Sequence, residues 1–336
     1  MKSQNLKNIL MIATGGTIAS AQSGHGLSPS LTSDDLLRAV PEVSSICHVD
    51  TIQLMNLDST DIGPLNWIQI AEEIERTYRA YDGFVITHGT DTMAYTAAAL
   101  SYLVQNSPKP VVLTGAQKSI SLHDTDARQN LRDSFLYASD DRSQGISIVF
   151  DGKVIIGTRA RKERTRSYNA FSSVDYPEIA VIREGKIIRY LEGKIPSGSR
   201  PVFYHNIDPN VLVVTLIPGL TGEAVRRLKD NYHALIIQSF GVGGLPGGGS
   251  GDLACALSEW IRDGKPVVLT TQVPYEGGDL SVYRVGVELK EQFPVIEAHN
   301  MTLESISAKL MWALSYAETL DQIQELFETP IARDII

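Results

Sequence analysis

The sequence predicts an α/β protein built as two doubly wound domains, and three observations carry that expectation. Short β-branched runs alternate with longer amphipathic segments, the pattern of a mostly parallel sheet crossed by helices. The string KPVVLT occurs twice, at Lys109–Thr114 and Lys265–Thr270, each time after another strand that ends in a glycine-containing loop. A chain of 336 residues is long enough for two cores of ordinary size. The repeat reads either as two related strand-helix-strand units or as coincidence between valine-rich strands.

The clearest strands are Ile9–Ala13, Phe84–Thr87, Val111–Thr114, Ile146–Phe150, Val211–Ile217, Leu235–Ile237 and Val267–Thr270. Between the first two, Trp67, Ile70, Ala71, Ile74 and Tyr78 follow a helical rhythm opened by Pro64, which is preset for a first helical turn. Near the end, Leu303, Ile306, Leu310 and Leu314 form one apolar stripe, and Thr319 with Gln322 predicts a capping box for a last helix. Residues 185–210 carry Gly, Pro, Ser and Arg with little periodicity. A larger N-terminal domain with a mostly parallel sheet is therefore expected over 1–190 and a linker over 191–210. A smaller flavodoxin-like or Rossmann-like domain is expected over 211–336.

Apolar residues make up 43% and charged residues 21%, the range of a folded globular protein rather than a disordered chain. No apolar stretch approaches the roughly 20 residues that cross a bilayer. The N-terminal apolar run passes directly into TGGT without a small-residue cleavage site, so a cytoplasmic protein with no membrane partner is expected. A net charge of −9 argues against nucleic acid as a partner. Cys47 and Cys255 show no metal-ligand spacing, and the seven histidines form no HExxH pair, so no metal and no cofactor are expected.

In an open parallel sheet, ligands bind outside the carboxyl ends of the strands, where strand order reverses. The segment TGGTIAS, Thr14–Ser20, sits at one such end. Gly15 and Gly16 permit a tight turn and a close approach of backbone to ligand, but neither a dinucleotide fingerprint nor a P-loop is present. Neither Thr14 nor Thr17 is needed to make that turn. A second strand end, DGFVITHGTDT at Asp82–Thr92, again offers Gly-Thr and adds a carboxylate. A threonine hydroxyl attacks only when a base takes its proton, and a lysine held by a carboxylate can be that base. Threonine, lysine and aspartate therefore suit acyl transfer.

These motifs resemble the bacterial-type L-asparaginase family, the asparaginase/glutaminase group, and within it the cytoplasmic type I enzymes. The resemblance covers essentially the whole chain: TGGTIA, the LDST segment Leu57–Thr60, GFVITHGTDTM, VVLTG, GVGG and the C-terminal MT-x-E-x-x-x-x-KLMW. It implies hydrolysis of L-asparagine to L-aspartate and ammonia without a cofactor. Thr17 would be the nucleophile that is acylated, with Thr90, Asp91 and Lys162 as a proton-relaying triad. Asp58, Ser59 and Thr60, together with Thr90 and Asp91, would hold the substrate's α-amino and α-carboxylate groups.

Taken alone, Lys162 lies in GTRARKERTR among Arg159, Arg161, Arg164 and Arg166, a pattern that commonly marks a solvated face or an anion patch. At the family's lysine position, those arginines would favour the neutral amine that a base requires. GVGGLPGGGSG, Gly241–Gly251, has a linker's composition. The resemblance instead implies a loop given to a neighbouring subunit's site, in a homodimer or a homotetramer that is a dimer of dimers. Tyr283 and Tyr275–Gly278 read either as part of that interface or as plain surface loop.

The loop after the nucleophile departs from the family pattern. It reads SAQSGHGLSPS, with Leu27 where many members carry a tyrosine that helps activate the threonine, and no tyrosine occurs between Thr17 and Tyr78. Gly24, Gly26 and the serines still suit a lid, and His25 reads as a solvated loop side chain. Two rivals share the motifs: the glutaminase-like subunit of a tRNA-dependent amidotransferase, and an inactive amino-acid sensor with the same cleft. The first is expected to carry an N-terminal extension, whereas the first strand here begins near Asn8. The second is opposed by the presence of all four catalytic residues.

Overall fold

A computed structural model describes residues 6–23, 26–193, 195–196, 198–282, 287, 290 and 294–336, with residues 21–23, 26–29 and 250 described by backbone alone. The chain divides into two compact units, Met1–His205 and Asn206–Ile336.

The first unit is organised by an eight-stranded sheet. Its spatial order is Lys186–Arg189, Ala180–Arg183, Lys153–Ile156, Gly145–Phe150, Pro110–Thr114, Gly83–Thr87, Asn8–Gly15 and His48–Leu57. The five strands from Gly145–Phe150 to His48–Leu57 pair in parallel, and the remaining three extend the sheet antiparallel. The central strands are almost wholly buried, as runs covered on both faces must be. On one face Ile9, Met11, Val85 and Val112 pack with Leu131 and Phe135 of the helix Ala127–Ala138. From the other face Phe84 stacks on Tyr78, at the end of the helix Pro64–Thr77.

The winding fixes where a ligand crevice forms. After Asn8–Gly15 the chain crosses to His48–Leu57 on one side, then returns to Gly83–Thr87 on the other. Strand order therefore reverses between Asn8–Gly15 and Gly83–Thr87, which places the switch point at the two glycine-threonine strand ends.

In the second unit, Val211–Thr215, Ala234–Ser239, Val267–Thr271 and Ile296–Glu297 pair in parallel and in chain order, without a reversal among the described residues. Trp260 and Leu257 of the helix Asp252–Arg262 and Val225 of Gly222–Leu228 fill the core beside Leu235, Ile237 and Val267.

The repeated KPVVLT has a structural counterpart. Both copies form an inner strand that follows a helix, and both lysines reach back to carbonyls near a helix end. Lys109 Nζ donates to Tyr78 O at 2.6 Å and lies 4.7 Å from the centre of the Tyr78 ring. Lys265 Nζ donates to Lys229 O at 2.5 Å and lies 5.6 Å from the Trp260 ring. Such contacts satisfy carbonyls that a helix terminus leaves unpaired.

Three sequence expectations change in detail. Residues 186–189, placed in an aperiodic stretch, form the edge strand of the large sheet. The helix Leu303–Tyr316 is buried on more than the one apolar stripe, because Glu304 and Lys309 are buried too. Lys309 is fully enclosed, 2.7 Å from Asp334, and burial pushes its amine below the ordinary range. Thr319 caps the last helix by accepting from Gln322 N, but the Gln322 side chain answers to Glu318 N, one residue before the cap.

Candidate active site

The strand Asn8–Gly15 ends in Gly15 and Gly16, and a single turn over Thr17–Ala19 follows. Gly16 has φ 79° and ψ −179°, a region open in practice only to glycine. A Cβ at Gly16 would fall on the backbone nitrogen and Cα of Gly89. One at Gly89 would lie 2.6 Å from Cβ and Oγ of Ser59. Missing side chains thus let three segments meet: Gly15–Thr17, Asp58–Thr60 and Gly89–Asp91. Thr17 is half-buried at this junction, while Ile18 and Ala19 sink into the core.

The two threonines that flank the glycines do different work. Thr14 is fully buried and its hydroxyl donates to Thr87 O at 2.8 Å, tying the two switch-point strands together. Thr114 does the same between its strand and the next, donating to Val149 O at 2.8 Å. Thr14 is therefore a strand tie, and only Thr17 remains at the site.

Asp58 caps a single turn over Ser59–Asp61, its Oδ1 accepting from the Thr60 amide and hydroxyl, each at 2.9 Å. Ser59 is buried; its Oγ accepts from Asp91 N at 3.3 Å and its carbonyl accepts from Thr92 Oγ1 at 2.6 Å. Asp58 and Thr60 are exposed. Thr92 is also the N-cap of the helix Met93–Leu103, so the Asp91 carboxylate stands by that helix's positive end.

Lys162 arrives on a separate hairpin, Ala160–Lys162 paired with Phe171–Ser173. Buried Phe171 anchors it, edge-on to Phe150 at 5.1 Å, a contact worth about 0.5–1.5 kcal/mol beyond burial. Lys162 Nζ then donates to Thr90 Oγ1 at 2.7 Å and to Asp91 Oδ1 at 2.5 Å. Two of the four surrounding arginines turn elsewhere. Arg159 is fully buried beneath Tyr176, and Arg164 donates to Asn169 O on its own hairpin. The acidic partner of Lys162 is Asp91.

Sequence reasoning missed two residues. Gln117, just past the strand Pro110–Thr114, accepts from Thr90 Oγ1 at 3.3 Å. Its own amide is held by Asp126, which burial pushes upward in pKa while hydrogen bonds from Gln117 N and Lys118 N pull it down. The signal available was the third glycine-bearing strand end, VVLTG, two residues before Gln117. His88 is the other. It is fully buried, bonds Gly89 O through Nδ1 at 2.7 Å and Thr96 Oγ1 through Nε2 at 2.9 Å, and burial lowers its pKa to about 4. A carbonyl can only accept, so Nδ1 carries a proton, and the lowered pKa keeps the ring neutral near neutral pH.

The lid expectation falls on a hairpin, Ser20–Ser23 paired with Gly26–Pro29, in which Leu27 stands opposite Gln22. His25 and Gly24 lie outside the described residues, as does Tyr283. The glycine segment after Ala234–Ser239 is folded rather than linker-like: Gly244 N donates to Phe240 O at 2.7 Å, and a short turn spans Gly248–Ser250. Among the described residues no group of three or more His, Cys, Asp or Glu could hold a metal ion, and no helix is long and apolar enough to cross a membrane.

Comparison with known proteins places this arrangement. The asparaginase N-terminal family model matches residues 8–194, and the glutaminase/asparaginase C-terminal domain matches residues 210–327. The L-asparaginase of Thermococcus kodakarensis is 39% identical over 328 residues, 97% of this chain and 98% of that protein. The solved structure of the thermostable L-asparaginase from that organism superposes with a TM-score of 0.90 at 38% identity, covering 98% of this chain and 99% of the other. A glutamyl-tRNA(Gln) amidotransferase component of Pyrococcus abyssi is 33% identical, with 98% of this chain and 77% of that protein covered. A probable cytoplasmic L-asparaginase of Campylobacter jejuni matches at 25% identity and a TM-score of 0.81 over 96% of this chain and 99% of that one. With both domains matched and similarity running the length of the sequence, this chain belongs to the asparaginase family.

Proposed function

We propose that the protein is an L-asparaginase, hydrolysing L-asparagine to L-aspartate and ammonia through an acyl-threonine intermediate. The observation that carries the reading is the set Lys162, Thr90 and Asp91, hydrogen-bonded at 2.7 and 2.5 Å, at the strand end whose Gly89 abuts Gly16, the residue before Thr17. In this proposal Thr17 Oγ1 attacks the side-chain amide carbon, its proton passes through the Lys162 set to the leaving nitrogen, and ammonia departs. Water then attacks the ester, the same groups take its proton, and Thr17 is regenerated with aspartate released. Asp58, Ser59 and Thr60, with Thr90 and Asp91, supply polar groups for the substrate's charged end, a reading supported by the bond from Asp91 N to Ser59 Oγ and the approach of Gly89 to Ser59.

The family resemblance supports two finer parts of the proposal: a dimer or dimer of dimers in which Gly241–Gly251 serves a partner's site, and a cytoplasmic location. Ammonia release by the purified protein from L-asparagine, L-glutamine and D-asparagine is the test. Asparagine and glutamine differ by one methylene, a discrimination of about 1–3 kcal/mol in a pocket, so both are run at matched concentrations. Turnover of L-asparagine is expected; no release from any of the three overturns the reading.

A further inference from the structure

The hydrogen-bond pattern of Gln117 leaves its side-chain amide no choice of orientation. Its Nε2 donates to two main-chain carbonyls, Ser167 O at 3.1 Å and Arg164 O at 3.3 Å. Both belong to the loop of the hairpin that carries Lys162. A carbonyl cannot donate, so the amide cannot flip, and Oε1 must face Thr90. The backbone is fixed as well: Asp126, 7% exposed, accepts from Gln117 N at 2.9 Å and Lys118 N at 3.0 Å, and from Asn130 Nδ2 at 3.2 Å.

Thr90 Oγ1 has one proton and two lone pairs. Lys162 Nζ donates into one lone pair at 2.7 Å, and the proton goes to Gln117 Oε1 at 3.3 Å. One lone pair is left. We infer that Gln117 is a positioning residue that makes Thr90 Oγ1 an acceptor toward the site, so that Thr90 receives a hydrogen bond from the water or ammonium group placed there. This inference rests on the asparaginase reading. Without Gln117 the hydroxyl rotates, and in part of the population its proton points where a donor must sit. The group that needs the lone pair during the reaction then meets a proton instead.

Two variants test this. Gln117→Leu removes the acceptor and should lower kcat on L-asparagine on the order of 10- to 100-fold, less than the loss of an acid-base group itself, with KM within about threefold. Gln117→Glu separates positioning from packing. As a carboxylate it still accepts from Thr90 but faces Arg164 O and Ser167 O with no proton to offer. When protonated it donates to one carbonyl and accepts from Thr90, restoring the glutamine pattern. Its kcat relative to the parent should therefore recover as pH falls from about 8 toward about 5, which a role in packing would not produce. A Leu variant with kcat within twofold of the parent, or a Glu variant with the parent's pH profile, overturns the inference. If the Leu variant does not fold, the Glu profile decides. A parent protein that releases no ammonia from L-asparagine instead strikes at the proposed function.

Discussion

Gly16 and Gly89 lie so close that a methyl group on either would enter the other's segment or its neighbour: at Gly16 it falls on the Gly89 backbone, at Gly89 it meets Ser59 at 2.6 Å. These two residues close the switch point of the sheet, one on each strand end. Gly16→Ala should therefore cost about 1–3 kcal/mol from its φ and ψ alone, with the clash in addition. Because the strain is released by parting the two segments, kcat/KM should fall by a larger factor than stability predicts. Denaturant unfolding with L-asparagine kinetics on the same variant checks this; unchanged kinetics would mean the two strand ends need not touch.

The threonines on either side of those glycines should respond in opposite ways. Thr17→Ala removes the proposed nucleophile and should cut turnover roughly 10³-fold or more while substrate still binds. Thr14→Val removes only the bond to Thr87 O; it should cost about 1 kcal/mol of stability and leave kcat nearly unchanged. Activity of Thr17→Ala within tenfold of the parent would remove Thr17 from its role.

Lys162 and Thr90 are 72 residues apart in sequence and 2.7 Å apart in space, so their losses should not multiply. Lys162→Met and Thr90→Ala are expected to be about equally damaging, and the double variant little worse than either, as for groups that act as a unit. Turnover measured for all three decides; multiplicative losses would make Lys162 a bystander cation.

The residues of the candidate site were legible in the sequence for different reasons. Thr17 and Thr90 follow the ends of almost wholly buried strands, where periodicity locates a ligand edge. Lys162 sits on a short hairpin among arginines, and only the family resemblance singled it out. Gln117 carries no chemical signature, because an amide acts only through the partners that orient it, here Ser167 O and Arg164 O. Thr14 is the converse case, a hydroxyl at the same strand end that is spent on a neighbouring strand. Lys309 and Asp334 were invisible as a pair, since nothing in an apolar-stripe pattern announces a buried ion pair 2.7 Å across.

The proposed partner-served site predicts complementation. Light scattering should give a mass of two or four chains. Mixing inactive Thr17→Ala with a variant inactivated in Gly241–Gly251 should then restore part of the activity, because one site of each mixed pair receives both intact parts. A fully active monomer contradicts the arrangement.

His88 ties the site's geometry to pH. Its neutral ring holds Gly89 O at 2.7 Å and Thr96 Oγ1 at 2.9 Å, and burial lowers its pKa from 6.5 to about 4. Unfolded chains bind a proton at this histidine once pH drops below about 6.5, while the folded protein resists until about 4. Between those values the unfolded state holds the extra proton, so stability rises with pH across the window and falls on acidification. Lowering of this size removes stability on the order of a few kcal/mol between about pH 7 and about pH 4. His88→Gln keeps a polar group able to donate to Gly89 O but cannot titrate. Its stability at about pH 7 should be lower than the parent's, and its loss on going to about pH 4 smaller by about that amount. Urea midpoints of both proteins at about pH 7, 5.5 and 4 measure the difference. Parallel pH dependence in the two would show that His88 does not hold its neutral form, and the strut beneath Gly89 would have to be sought elsewhere.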